Sequence, residues 1–207
     1  MSPLERFPGC HAALPPAFCG GIGRFALIAA CGGRIAVDTR RRFDKRFKST
    51  HRCTIADTRG PLTLTVPIEK PASFRSARWS DIIVSGHGEW PRLHVTALES
   101  AYGRTPFYEF YADRFTPLLL GAVGRRLVDL DADLENLCLR ILGIEPLLAS
   151  HTEPVSGMDF PVALPYWQLR ADRLGFIPDL SILDLIFNLG PEAPLHLKRL
   201  IDASDPV

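Results

Sequence analysis

The sequence predicts a mixed α/β (or α+β) fold, with a mixed sheet carrying a β-hairpin near residues 51–67 and a helical C-terminal half. Three observations carry this expectation. His51-Arg-Cys-Thr-Ile-Ala56 and Leu62-Thr-Leu-Thr-Val-Pro67 alternate apolar and polar side chains around Asp57-Thr-Arg-Gly60, a turn sequence. From Trp90 to Leu142 apolar residues recur at three- and four-residue spacing, the period of amphipathic helices. A last apolar block, Phe176 to Ala193, has helical spacing and a Gly190-Pro191 stop.

Taken in order, residues 24–31 (Arg-Phe-Ala-Leu-Ile-Ala-Ala-Cys) read as a short apolar helix behind Gly20-Gly-Ile-Gly23. A glycine-rich turn before a helix can cradle phosphate on free N–H groups. Here the pattern is not Gly-x-Gly-x-x-Gly and no strand clearly feeds it, so a plain tight turn is expected. Gly33 to Asp38 reads as a strand, the hairpin follows, and Asp81 to Ser85 reads as a further strand ended by Gly86-His-Gly88. Pro91 suits the first turn of a helix running to about Tyr102. Phe107–Leu120 and Leu134–Leu142 continue the helical pattern, the latter with Asp131 or Asp133 as N-cap and Gly143 as stop. Ile144–Leu148 returns to a sheet, and Leu164–Arg173, mixing Pro, Trp and charge, crosses the surface irregularly. In the final helix Leu180, Leu183, Leu185, Ile186 and Leu189 turn mostly inward, with Asp184 among apolar neighbours. A buried Asp must be paired or hydrogen-bonded, so a structural role stands beside a catalytic one.

A chain of 207 residues with 46% apolar content supports one core, and no repeat or linker divides it, so residues 1–207 are expected to be a single domain. The N-terminus lacks the apolar stretch of a signal peptide. The longest apolar runs, Phe25–Cys31 and Leu118–Val123, are too short to span a bilayer. The expectation is a cytoplasmic protein without membrane insertion. Five cysteines without a Cys-x-x-Cys pair argue against a disulfide framework and a zinc site, and Cys53 and Cys138 read as small buried hydrophobes. Gly-x-Ser-x-Gly, His-Glu-x-x-His and Walker-type sequences are missing, which argues against the familiar metalloenzyme and phosphoryl-transfer classes; the expectation includes no cofactor and no metal. The sequence specifies no oligomeric state.

The charge is concentrated in one place. Seven Lys or Arg (Arg40, Arg41, Arg42, Lys45, Arg46, Lys48 and Arg52) stand against Asp44, a local balance of +6, in a chain with 24 basic and 23 acidic side chains. Like charges packed this closely repel, and an anion is the natural reward, because Arg offers a rigid fork of donors and Lys a mobile point charge. The other reading is a solvated loop. Because strands bracket the run, Arg46, Lys48 and Arg52 are candidate ligands for an anionic small molecule, with His51 beside them. One basic loop whose aromatics are only Phe43 and Phe47, on a near-neutral chain, falls short of a nucleic-acid footprint.

His94 lies one turn after Trp90, with Tyr102 two turns further on and Tyr108 on the next helix. An aromatic pocket with one His suits general acid–base chemistry, whereas a satisfied half-buried His on an amphipathic helix is the alternative.

Four ordered segments resemble the WbqC-like family. Leu14-Pro-Pro-Ala-Phe18 with Arg24-Phe-Ala-Leu-Ile is similar to its N-terminal signature. Arg46 to Cys53 with Leu62-Thr-Leu-Thr-Val-Pro67 resembles its basic block and following strand. Trp90-x-x-x-His94, Glu99-Ser-Ala-Tyr102 and Thr105-Pro-Phe-Tyr-Glu-Phe-Tyr111 match its helix pair. Phe176 to Ala193 is close to its C-terminal signature, so the resemblance spans roughly residues 13–195. Of the family's basic triplet only Arg52 carries over, Thr50 and His51 standing at the other positions, and Ser49 replaces the preceding Tyr.

The resemblance implies a link to bacterial surface-polysaccharide (O-antigen and capsule) biosynthesis and adds weight to Arg52, His94, Tyr102, Asp184 and Asn188. The resulting expectation is a cytosolic group-transfer enzyme for an anionic activated sugar or acyl donor. His94 would be the general base and Tyr102 would orient the acceptor, while Arg46, Lys48, His51, Arg52, Trp90, Tyr108, Asp184 and Asn188 bind substrate. The alternative is a non-catalytic module docking an acidic partner or glycan through the basic loop.

Overall fold

β1 (Cys10–Leu14), α1 (Ile22–Ala30) and β2 (Arg34–Val37) form a strand–helix–strand crossover in the computed structural model, which describes residues 4–44, 46–73, 75–148, 153–155 and 163–204. β1 and β2 pair in parallel, with Ala12 opposite Ile35 and Leu14 opposite Val37. β5 (Leu147–Leu148) and β6 (Glu153–Val155) complete a parallel sheet in the order β5–β2–β1–β6. Gly33 permits the β5 contact: its φ is +84°, and a Cβ there would stand 2.1 Å from the Glu145 carbonyl oxygen. β1 escapes sequence reading because Cys-His-Ala-Ala-Leu neither alternates nor carries β-branched residues; parallel neighbours on both sides make it a strand.

The hairpin forms as expected. β3 (Arg52–Asp57) and β4 (Gly60–Thr65) pair antiparallel, from Arg52 opposite Thr65 to Asp57 opposite Gly60. Residues 81–85 are not a strand. Asp81 closes a short 3-10 turn (Trp79–Asp81), and residues 82–85 run between two segments with only single pairings, Ile83 with Arg126 and Val84 with Ile68, while Ile82 and Val84 are buried.

α2 (Trp90–Tyr102) and α3 (Tyr108–Leu120) fall where the periodicity places them. α4 (Leu127–Ile141) begins well before Leu134, and neither Asp131 nor Asp133 caps it. Its start is fixed by the buried side chains of Leu127, Val128 and Leu130 and by Arg126, whose guanidinium forks onto Asp129 with two 2.7 Å bonds. Asp131 is instead buried within the helix, and Asp133 pairs with Arg125 at 2.5 Å. The irregular stretch from Leu164, which ends in the single turn α5 (Ala171–Leu174), does more than cross the surface, because Tyr166 and Gln168 are buried.

α6 (Ile182–Leu189) is the hub. Every residue from Ile182 to Asn188 is buried, the signature of a helix that is packed on all sides. Its Phe187 ring meets Tyr102 at 5.2 Å, Tyr108 at 5.1 Å and Phe115 at 5.7 Å. Ser181 caps it, accepting from the Leu183 N–H. Gly190, at φ +50°, ends the helix under the Phe107 ring, where a Cβ would come within 2.4 Å. A last helix, α7 (Ala193–Ala203), lies beyond the expected end and packs with α6 against α1. Among the described residues no helix is long and apolar enough to cross a membrane.

Candidate functional site

The carboxyl end of β1, beside that of β2, opens into a seven-residue loop, 15–21, that leads to α1. A strand therefore does feed the glycine turn. In parallel sheets this edge is where ligands collect. Beside it lies an open cleft of about 550 Å³, lined by Cys19, Gly20, Gly21, Lys48, Ser49, Arg52, Cys53, Thr54, Thr63, Asp179 and Ser181. Backbone bonds from distant segments hold its rim: Phe18 N–H to the Ser49 carbonyl (3.0 Å), Ser181 N–H to Thr54 (2.8 Å) and Ile182 N–H to Gly20 (2.9 Å). The Ser181 hydroxyl donates to the Cys19 carbonyl at 2.7 Å.

The basic run divides in space. Lys48 is exposed at the cleft, and Arg52 contributes a half-buried guanidinium whose Nε is buried without an acceptor among the described residues. A buried, unpaired charged donor is costly, and an anion in the cleft would relieve it. Arg46 does not face this space. It is exposed and forks onto Asp44 at 2.6 and 2.9 Å, holding that carboxyl down to about 2. His51, half-buried, sits 3.3 Å from the Thr50 hydroxyl. Burial and then Arg52 push its imidazole down, so it is neutral near pH 7.

Asp179 is the cleft's acid. It holds a positive φ of 54°, uncommon outside glycine, and partial burial raises its carboxyl. Cys19 is the other described non-glycine residue with positive φ. Its thiol is hydrogen-bonded to Cys53 and fully enclosed, and both effects push it up, so it is a thiol and not a thiolate.

The remaining expected residues lie elsewhere. His94 is buried between the Phe18 and Trp90 rings, at 5.8 and 4.9 Å. It donates to the Thr65 carbonyl, its Nδ1 has no partner among the described residues, and burial pushes it down to about 4. Trp90 is anchored in the core by Nε1–H to the Ser85 carbonyl at 2.9 Å. Half-buried Tyr108 packs edge-on against Phe187. None of these three lines the cleft.

Tyr102, Asp184 and Asn188 do meet, in a buried network behind the cleft. Asp184 accepts from the Tyr166 hydroxyl (2.5 Å) and the Gln168 amide (3.1 Å), and Asn188 donates to the Asp184 carbonyl (2.8 Å). The Tyr102 hydroxyl accepts from the Ala56 N–H at 3.2 Å. Burial raises the Asp184 carboxyl, and the surrounding hydroxyl and amide groups pull it back. The cavity these residues share is about 10 Å³, enough for one water and no substrate. The arrangement fits the structural reading of Asp184.

Sequence reading missed Cys19, Asp179 and Ser181. Asp179-Leu-Ser181 is a cap signal before an apolar helix, and only the fold shows that it faces the basic run.

A model of the WbqC-like protein family matches residues 16–159. The chain is also similar to a Mycobacterium tuberculosis (strain ATCC 25618 / H37Rv) protein described as uncharacterized protein Rv1507c. The two are 27% identical over 219 aligned positions, covering 85% of this chain and 92% of the relative. No solved structure matches.

Proposed function

Because the chain belongs to the WbqC-like protein family, we propose that its basic cleft binds the anionic group of an activated sugar or acyl donor and that the protein is a cytosolic group-transfer enzyme of surface-polysaccharide synthesis. The observation that carries this reading is that Lys48 and Arg52 both line the 550 Å³ cleft, with the Arg52 Nε lacking an acceptor among the described residues. The volume lies in the range of small-molecule sites, roughly 300–1,000 Å³. Arg52 supplies a directional donor and Lys48 a mobile charge, suited to phosphate or carboxylate. We assign acid–base work to Asp179 and not to His94, because Asp179 lines the cleft and its raised carboxyl suits proton transfer. His94 acts one step away, clamping the end of the hairpin that carries Arg52.

Calorimetric titration with inorganic pyrophosphate tests the reading. Arg52→Ala and Lys48→Ala should each weaken binding roughly tenfold, the scale of a charge-assisted hydrogen bond. Arg46→Ala should leave it nearly unchanged. If Arg46→Ala is as damaging as Arg52→Ala, and moderate salt erases all binding, the loop is a diffuse docking surface for an acidic partner and the enzyme reading falls.

A further inference from the structure

A second cavity, of about 430 Å³, opens at the same sheet edge, and no part of the anion-cleft reading uses it. Its floor is the ends of the two central strands (Leu14 of β1, Val37 of β2). Its walls include Phe47 and Trp79, and its polar groups are Asp38 and Arg41. Phe47 is 42% exposed, a large amount for a Phe, so its ring is available to a ligand.

From these features we propose that this cavity holds the nucleoside of a nucleoside diphosphate whose phosphates lie in the basic cleft, so that the activated donor is a nucleotide conjugate. The inference rests on the cleft reading above and adds the leaving group's identity.

Three features carry it. The first is topology. Asp38 directly follows β2, the strand reached from β1 through α1, and stands eighteen residues beyond Gly20. In doubly wound sheets an acid at this place accepts the ribose hydroxyls, because the carboxyl ends of adjacent parallel strands bring it beside the first crossover loop. The second is the state of Asp38 itself. Its Oδ1 accepts from the Arg40 and Arg41 N–H groups, each at 3.1 Å, which fixes the side chain in an Asx turn, and Oδ2 carries no such bond among the described residues. An exposed, fixed carboxylate with a free oxygen is a hydroxyl acceptor. The third is adjacency. Phe47 lines the second cavity, while Lys48 and Ser49, the next two residues, line the first. Consecutive Cα atoms are about 3.8 Å apart, so the rims of the two spaces approach each other along this one short stretch of loop, a separation on the scale of a ribose 5′-diphosphate. A base is the moiety whose flat π-face suits aromatic and aliphatic walls.

The phosphates would be held differently from those in glycine-fingerprint folds. The Ile22 N–H at the start of α1 is taken by the Leu180 carbonyl at 3.2 Å, so side-chain charge does most of the holding. Binding should therefore depend on salt more steeply than on the helix terminus.

Titration of the full chain with ADP, GDP, CDP, UDP and inorganic pyrophosphate decides the matter, alongside the 2′-deoxy form of the best nucleotide. At least one nucleoside diphosphate should bind roughly tenfold tighter than pyrophosphate, the scale of one hydrogen bond to a charged group. Asp38→Asn, which keeps an acceptor for the Asx turn, should remove that advantage and the preference for the 2′-hydroxyl while leaving pyrophosphate binding intact. Arg52→Ala should weaken every ligand. If pyrophosphate binds as tightly as every nucleotide, or Asp38→Asn changes nothing, the nucleoside inference is overturned and the anion cleft stands. If neither pyrophosphate nor any nucleotide binds, both readings fall.

Discussion

His94 shows how a side chain can bear on a cleft it does not line. Its imidazole holds the Thr65 carbonyl, and Thr65 pairs with Arg52, so the histidine sets where the hairpin presents the guanidinium. The same burial makes it an acid-sensitive element. Its folded pKa is about 4 against 6.5 unfolded, and His196 is lowered to about 4 as well, mainly by burial and then by Arg199. Between those values the unfolded chain takes up protons that the folded one refuses. Stability from both groups is full above about pH 6.5 and declines as pH falls toward 4. Urea melts at pH 7.5, 5.5 and 4.5 should show that decline, and His94→Gln should flatten part of it; an equal slope in the variant would remove His94 from the account. Tyr166 offers a second residue-level test. Its hydroxyl donates to the buried Asp184 carboxyl, so Tyr166→Phe should cost about 1.5–3 kcal/mol in chemical unfolding and leave pyrophosphate affinity unchanged. A large loss of affinity would instead place the network in the site.

Among the elements, those with strong periodicity were readable. The hairpin, α2, α3 and α6 follow from alternation or from three-four spacing, because each buries one face or all faces against apolar neighbours. β1 was not readable, since an interior parallel strand of Cys, His and Ala takes its conformation from its partners. α4 was half readable: its true start is marked by an Arg126–Asp129 fork, which resembles no standard cap. Of the site, Lys48 and Arg52 stood out as charge, whereas Asp179 and Cys19 came into view only when segments some 160 residues apart met, Ser181 bonding back to Cys19. Gly190 ties this scale to energy. Gly190→Ala would drive a methyl into the Phe107 ring at a positive φ, so it should destabilise by about 1–3 kcal/mol, read as a lower urea midpoint at unchanged slope. A neutral result would mean that the Phe107 ring swings aside freely.

For the molecule as a whole, α6 decides cooperativity. It packs on α1 from the N-terminal crossover, on α2, α3 and α4, on β3, and on α7. None of these elements can leave without uncovering it, so heat should unfold the protein in one transition, with calorimetric and van't Hoff enthalpies equal. Two resolved peaks would divide residues 1–207 into separate units and remove the single-domain expectation.

The stitching of the cleft has a further consequence during synthesis. One part of a single wall, Cys19 to Gly21, leaves the ribosome early, and the segment hydrogen-bonded to it, Asp179 to Ser181, leaves near the end. A nascent chain thus displays its arginines for most of its translation before the cleft beside them is complete. A product truncated before residue 179 would keep the charge of the loop and lack residues that line the cleft beside it.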